Sequence, residues 1–299
     1  MKMQKKNFTL FELLISIALL VVLSVVLLRT MVLTADFWHY SNEQTNLYLD
    51  SKIVFNMLGE EISNIVYDYK NYGDNAGDDN VKLVAPVYFQ DTAFSTGATG
   101  FNREGSEISH GKALYFVSHT RRDNADTDKS DICKVTYKYY PPLKEEDDDV
   151  GYAAFKNNSN VPNRGKNGVL VRKVVNIDDS SLAFEQEMKN FFNTTNSSGL
   201  KEVIEGVIDF RIHFYEKDNV KPISFPKADD GKEKYKDFYE KLVAIRVSMT
   251  LLPINRMEEF RKDYLSASDD DKRHFLLKYS RTFSRTFWVN PAGDIKEGE

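Results

Sequence analysis

The chain has a single cysteine in 299 residues, Cys133, so no internal disulfide can brace it and its core alone must hold the fold. Cys133 sits in ICKVTYKYY, whose strand-like alternation makes it a small buried hydrophobe and not a reactive thiol. Proline is absent before Pro86, which leaves the first part of the chain open to one uninterrupted helix. The five histidines, at 39, 110, 119, 213 and 274, form neither an HExxH pair nor a Cys/His zinc spacing. GxSxG and phosphate-loop patterns are missing as well. Glu60 and Glu61, adjacent on a predicted helix, diverge and cannot share one substrate. These absences argue for a non-enzyme with no cofactor.

Basic charge is also in short supply. Lys and Arg number 40 against 45 Asp and Glu, a net charge of -5 that argues against a broad nucleic-acid surface. Calcium is the one metal worth weighing. DNADTDKSD, residues 123–131, places Asp126, Asp128 and Ser130 at alternate positions, but Asp131 stands where the turn glycine is needed and no glutamate follows at the twelfth place. That loop, GDNAGDDN and EEDDDVG are therefore read as solvated loops, and no metal is expected.

What the sequence does have is one long apolar run. From Phe8 to Leu28 there are 21 residues with Glu12 as the only charge, enough for a helix to cross a bilayer core. Lys2, Lys5 and Lys6 precede the run and Arg29 follows it, so the positive-inside rule places the short N-terminus in the cytoplasm and the remaining chain outside. A cleaved secretory signal would have a shorter core and a small-x-small site, which LLVVLSVVLLRTMVL does not offer. Beyond Arg29, Leu47, Val54, Leu58, Ile62 and Ile65 recur at three-, four- and seven-residue steps. One helix from about Phe8 to about Val66 follows, roughly 88 Å long. Gly59 is its weak point, at about 1 kcal/mol relative to alanine. DFWHY, residues 36–40, reads as an interfacial anchor.

After residue 66 the texture changes. Residues 67–110 are rich in Gly, Asn, Asp and Ser, with one strand-like run, VKLVAPVYF. Then ALYFVSH, ICKVTYKYY, GVLVRKVVNI, VIEGVIDFRIHFYEK, KLVAIRVSMTLLP and RTFSRTFWVN read as antiparallel strands. PPLKEEDDDVG, NTTNSSG and KPISFPKADDGKEKYKDF read as exposed loops between them. EEFRKDYLSASDDDKRHFLLKY is open between a short helix and an ordered loop. The fold class is thus α+β. The parts are a basic leader (1–7), a membrane half-helix (8–28), an amphipathic half-helix (29–66) and a β-rich head (67–299) packed on the helix.

The leader KKN followed by FTLFELLISIALL resembles the class III signal of type IV pilins and the pseudopilins of type II secretion. The order of the head strands, with Leu170 and Arg172 in a Leu-x-Arg strand and Gly206, Val207 and Phe210 in a Gly-Val-x-x-Phe strand, resembles the J-type minor pseudopilins and their relatives, the W-type minor pilins. The resemblance implies a pilin-like fold, cleavage between Asn7 and Phe8 by a prepilin peptidase, and methylation of the new N-terminus at Phe8. It further implies that Glu12, fifth in the mature chain, acts in assembly. The implied partners are other pilin-like subunits, the inner-membrane assembly platform and the peptidase, with a single-pass inner-membrane location and the head periplasmic or extracytoplasmic. Asn7 stands where the family has glycine. A minor type IV pilin and an anchored binding protein that never enters a filament stay open beside the minor pseudopilin.

Overall fold

The computed structural model describes residues 10–65, 87–90, 102–103, 106–107, 112–119, 132–144, 166–176, 201–217, 221–226 and 232–289. The leader residues Lys2, Lys5, Lys6, Asn7 and Phe8 lie outside these, as do the calcium-like loop 123–131, GDNAGDDN, NTTNSSG and most of PPLKEEDDDVG.

The apolar run and the periodic stretch after it form one helix, α1 (Leu10–Ser63), as the missing prolines predict. Its apolar half carries hydroxyls that bond back to the preceding turn: Ser16, Ser24 and Thr34 donate to the carbonyls of Glu12, Leu20 and Thr30 at 2.7–2.8 Å. Each polar group is thereby satisfied within the helix, the condition for tolerating it in an apolar medium. The chain divides into two compact units, Met1–Asn46 and Leu47–Glu299.

The second unit is built on antiparallel strands. β1 (Val87–Gln90), β4 (Lys112–His119), β5 (Ile132–Pro142), β6 (Asn167–Asn176) and β7 (Lys201–Glu205) form one sheet in the order β1-β4-β5-β6-β7. β8 (Val207–Glu216), β9 (Leu242–Leu251) and β10 (Arg281–Trp288) form a second in the order β10-β9-β8. A two-stranded ladder joins β2 (Asn102–Arg103) to β3 (Ser106–Glu107). With its long N-terminal helix and antiparallel sheets the fold is α+β, a layout consistent with a pilin-like architecture.

The stretch VIEGVIDFRIHFYEK, one strand in the sequence reading, is two, and Gly206 is the break. Its N–H donates to the Gly168 carbonyl on β6 of the first sheet, and its own carbonyl accepts from Leu252 just past β9, both at 2.9 Å. The chain thus leaves one sheet and enters the other at a single residue. Gly206 sits at φ 82°, and a Cβ there would lie 2.5 Å from the Leu252 carbonyl oxygen, so no other residue fits.

On α1 the buried face includes Leu47, Val54, Leu58 and Ile62, as the period predicts, and these side chains join core residues of both sheets such as Tyr137 and Phe210. Ile65 falls just past the helix and bridges to Ser118. Gly59 has a packing reason: a Cβ there would meet the Phe287 ring at 3.1 Å, so the glycine lets β10 come close to the helix.

One loop expectation changes, and one stretch left open is decided. KPISFPKADDGKEKYKDF ends in a helix, α2 (Lys232–Lys241), which buries Phe238 and Tyr239 and brings the Tyr239 hydroxyl to the Val87 carbonyl at 2.6 Å. Its charged surface hid the two-residue apolar footing that holds it. EEFRKDYLSASDDDKRHFLLKY resolves as helix: α3 (Ile254–Glu259), a π-helical turn (Phe260–Tyr264) and α4 (Asp269–Tyr279). Ser268 caps α4 by accepting from the Asp271 N–H, and Leu252, Met257, Phe260 and Phe275 form a small core beneath.

Candidate functional site: the N-terminal helix

Glu12 lies in the first turn of α1, where the free N–H groups of a helix start favour a carboxylate. Around and beyond it, Phe11, Leu14, Leu20, Val25 and Leu33 are among many large apolar side chains left exposed. The helix is long and apolar enough to cross a membrane. Of the residues singled out from the sequence as functional, Glu12 alone falls among the described ones.

The other end of the helix holds a polar cluster that the sequence reading missed. Glu61, 3% exposed, points into the second unit between β5 and β6. Arg172 on β6 donates to Glu61 Oε1 through Nε at 2.8 Å and also through its terminal nitrogen, forming a two-point ion pair. Tyr137 on β5, fully buried, donates its hydroxyl to Glu61 Oε2. Burial, then the Glu61 charge and the hydrogen bond to it, push the Tyr137 phenol well above its usual range, so it stays a neutral donor. The carboxylate therefore has three donors on its two oxygens.

The helix end is closed by β4. Ser118 Oγ donates to the carbonyls of Glu61 at 2.7 Å and Asn64 at 3.2 Å, and the His119 N–H donates to the Asn64 carbonyl at 3.0 Å. These are carbonyls that a helix terminus leaves without an intrahelical partner. α1 has no basic residue in its last turn, and Arg172 supplies positive charge there from another strand. On the opposite side, Arg285 of β10 donates to Asn56 Oδ1 at 2.9 Å. A readable signal did exist for Glu61. Leu47, Val54 and Glu61 are seven apart, so the apolar stripe itself carries the carboxylate inward.

A second polar group closes the end of β5. Arg261, on the π-helical turn and 5% exposed, donates to the Leu143 carbonyl through Nε at 2.7 Å and reaches the Lys144 carbonyl at 3.4 Å. On β7, Glu202 Oε2 is buried with no hydrogen-bond partner among the described residues. Burial, with the Glu205 charge second, lifts its carboxyl from the ordinary 4.5 to about 7. Among the described residues no three His, Cys, Asp or Glu side chains are grouped to hold a metal. What the cluster at Glu61 does is mechanical: it fixes a helix on a sheet.

Compared with known proteins, the chain matches no family model and no curated protein.

Removing one partner of a buried ion pair leaves the other charge uncompensated, which costs about 3–5 kcal/mol. Glu61→Ala and Arg172→Ala are each expected to lower the unfolding free energy of the second unit by that order, seen as a lower denaturant midpoint. The pair Glu61→Leu with Arg172→Met should cost much less than either single change. Equal losses in all three, measured by urea unfolding, would mean that the cluster acts only through packing.

Glu202 gives a pH dependence of definite sign. Its folded pKa lies above the unfolded one, so the fold holds the proton more tightly and the contribution is fully favourable below about 4.5. That contribution is lost as pH rises through about 7. Glu202→Gln should therefore raise the melting temperature at pH 8 and leave it nearly unchanged at pH 4. Melts at the two pH values that shift equally would remove the carboxylate as the cause.

Proposed function

We propose that the chain is a minor pseudopilin, a structural subunit at or near the tip of a type II secretion pseudopilus that helps initiate its assembly. The observation that carries this reading is MKMQKKN/FTLFEL: three lysines, then an apolar helix whose first turn holds Glu12. The α+β layout that follows the helix supports the same reading. Its task is assembly and not catalysis. Its partners are sibling pilin-like subunits, the inner-membrane platform and the prepilin peptidase. It sits in the inner membrane with the lysines cytoplasmic and the head outside. A minor type IV pilin would share all of these features. Asn7 favours a different protein, a single-pass anchored binding domain outside any filament, because a peptidase subsite shaped for glycine must stretch to admit an amide.

Glu12 weighs against the plain anchor. A charged carboxylate costs about 2.5–3.5 kcal/mol at the centre of a membrane helix and less near its end, and a simple anchor gains nothing from it. In a filament, the N-terminal amine of a neighbouring subunit would meet it and set the axial register between helices.

Two measurements test this. Intact-mass analysis of the protein from cells with an active peptidase should find a chain beginning at N-methylated Phe8; only full-length protein, with cleavage restored by Asn7→Gly, would favour the anchor. Glu12→Leu should leave the protein inserted, cleaved and folded, yet reduce its cysteine crosslinking to sibling subunits along the outer helix, residues 47–65. Crosslinking as strong as the parent's would show that the carboxylate is no assembly latch.

A further inference from the structure

The second sheet has one face in the core, through Ile245, Val247, Met249 and Phe210, and the other face turned outward. On the outer face the register sets Ser284 opposite Ser248 and Thr282 opposite Thr250, with hydroxyls bonded across the strands at 3.0 and 2.9 Å. Short side chains keep this part of the floor flat.

Arg246 comes next along β9 and is exposed. Its Nε donates to Thr286 Oγ1 at 3.1 Å, and its guanidinium lies 5.1 Å from the centre of the Tyr215 ring, a cation–π arrangement that holds the arginine over the sheet. Arg211 faces Ser248 from β8 with its side chain 65% exposed, its Nε 2.5 Å from Asp209. Lys112 reaches the same Asp209 at 3.5 Å. Among the described residues, Arg211 and Arg246 on this face, with Lys112 of β4 on the same carboxylate, outnumber Asp209, a locally positive balance on a chain of net charge -5.

The end of the face is aromatic. Trp288 on β10 is 74% exposed, and the register puts it and Tyr215 on either side of Ala244. Neighbouring strands lie about 4.8 Å apart, so the two ring-bearing positions stand about 10 Å apart, but Ala244 between them is buried, so the open platform is the exposed face of the Trp288 indole and not a slot between the rings.

We propose that this face binds an acidic polysaccharide, with a sugar ring at Trp288 and its carboxylate or sulfate groups on Arg246 and Arg211. Serine and threonine hydroxyls both donate and accept, which matches the hydroxyls of a sugar. Guanidinium forks suit carboxylate and sulfate oxygens. An indole exposed to this degree offers a flat apolar platform with a polar edge. Nucleic acid is the weaker fit, because its binding surfaces carry far more positive charge. A peptide strand would add to a sheet edge and not lie across a face. The inference is independent of the filament reading, since it uses only the outer face of one sheet.

The test uses the full chain in detergent and four immobilised probes: polymannuronate, dextran sulfate, neutral dextran and poly-L-glutamate. Binding to at least one acidic polysaccharide is expected, weakening as salt rises, with none to neutral dextran and little to polyglutamate. Arg246→Gln and Trp288→Ala, both at exposed positions, should keep the parent's melting temperature and each weaken that binding about tenfold, the scale of one lost charge-assisted contact for the arginine and of one lost ring contact for the indole. The proposal is overturned if neither acidic polysaccharide binds. It is equally overturned if polyglutamate binds as tightly, or if both variants bind as the parent does.

Discussion

A carboxylate carried inward on an apolar helix stripe must meet a cation and donors, or its burial would cost more than a single domain can spare. Glu61 meets Arg172 and Tyr137, from two neighbouring strands of one sheet. Against well-packed apolar side chains such a pair adds little net stability. Its contribution is geometric. An apolar stripe of Leu, Val and Ile packs almost as well after a small slide or roll, whereas a three-donor cradle for one carboxylate has a single solution. Rotation and axial position of the outer helix are therefore set together, and the Ser118 bonds to the last carbonyls set where the helix stops.

That arrangement requires both sheets to be held at a defined offset beneath the helix. The offset comes from Gly206, bonded to Gly168 on one side and Leu252 on the other. Because β7 and β8 are successive strands joined through Gly206, a residue without a Cβ, the two sheets cannot separate without breaking those bonds. The helix then closes over the joined surface, with Phe55 against Phe287 of the second sheet and Leu58 and Ile62 in the common core. Arg261 performs a parallel task at the far end of β5, where it ties the small helical lobe to the carbonyls of Leu143 and Lys144.

Much of this was readable in the residues. The steps from Leu47 to Ile62 gave the buried helix face, and the six alternating runs with VKLVAPVYF gave the strands of the two larger sheets, while β2 and β3 lie in a stretch that reads as turns and loops. What escaped depends on contacts distant in sequence. Beside its neighbour Glu60, Glu61 reads as one of two carboxylates on diverging sides of a helix, although its seven-residue step from Val54 places it inward. Its partners are 76 and 111 residues away, beyond the reach of any local pattern. Gly206 read as one more strand residue because its role is set by two backbone partners in different sheets. Lys138, inside the alternating run of β5, is 2% exposed over the Tyr140 ring, and burial pulls its ammonium pKa well down. Period tells which side of a strand a residue faces. It does not tell what lies on that side.

Glu12 and Glu61 pose one physical question in two media. Each is a carboxylate on an otherwise apolar stretch of the same helix. For Glu61 the chain supplies the counter-charge and the donors itself. The first unit has no such interior: from Leu10 to Leu33 its large apolar side chains are exposed, a surface far beyond the few hundred Å² that a soluble monomer leaves open to water. Something apolar has to cover it, and lipid is the simplest cover for a helix whose backbone and hydroxyls are already bonded within itself. In such a medium a carboxylate is tolerated only near the end of the span or beside a positive group, and Glu12 stands in the first turn. Its position is thus the one that lowers the cost of keeping it charged.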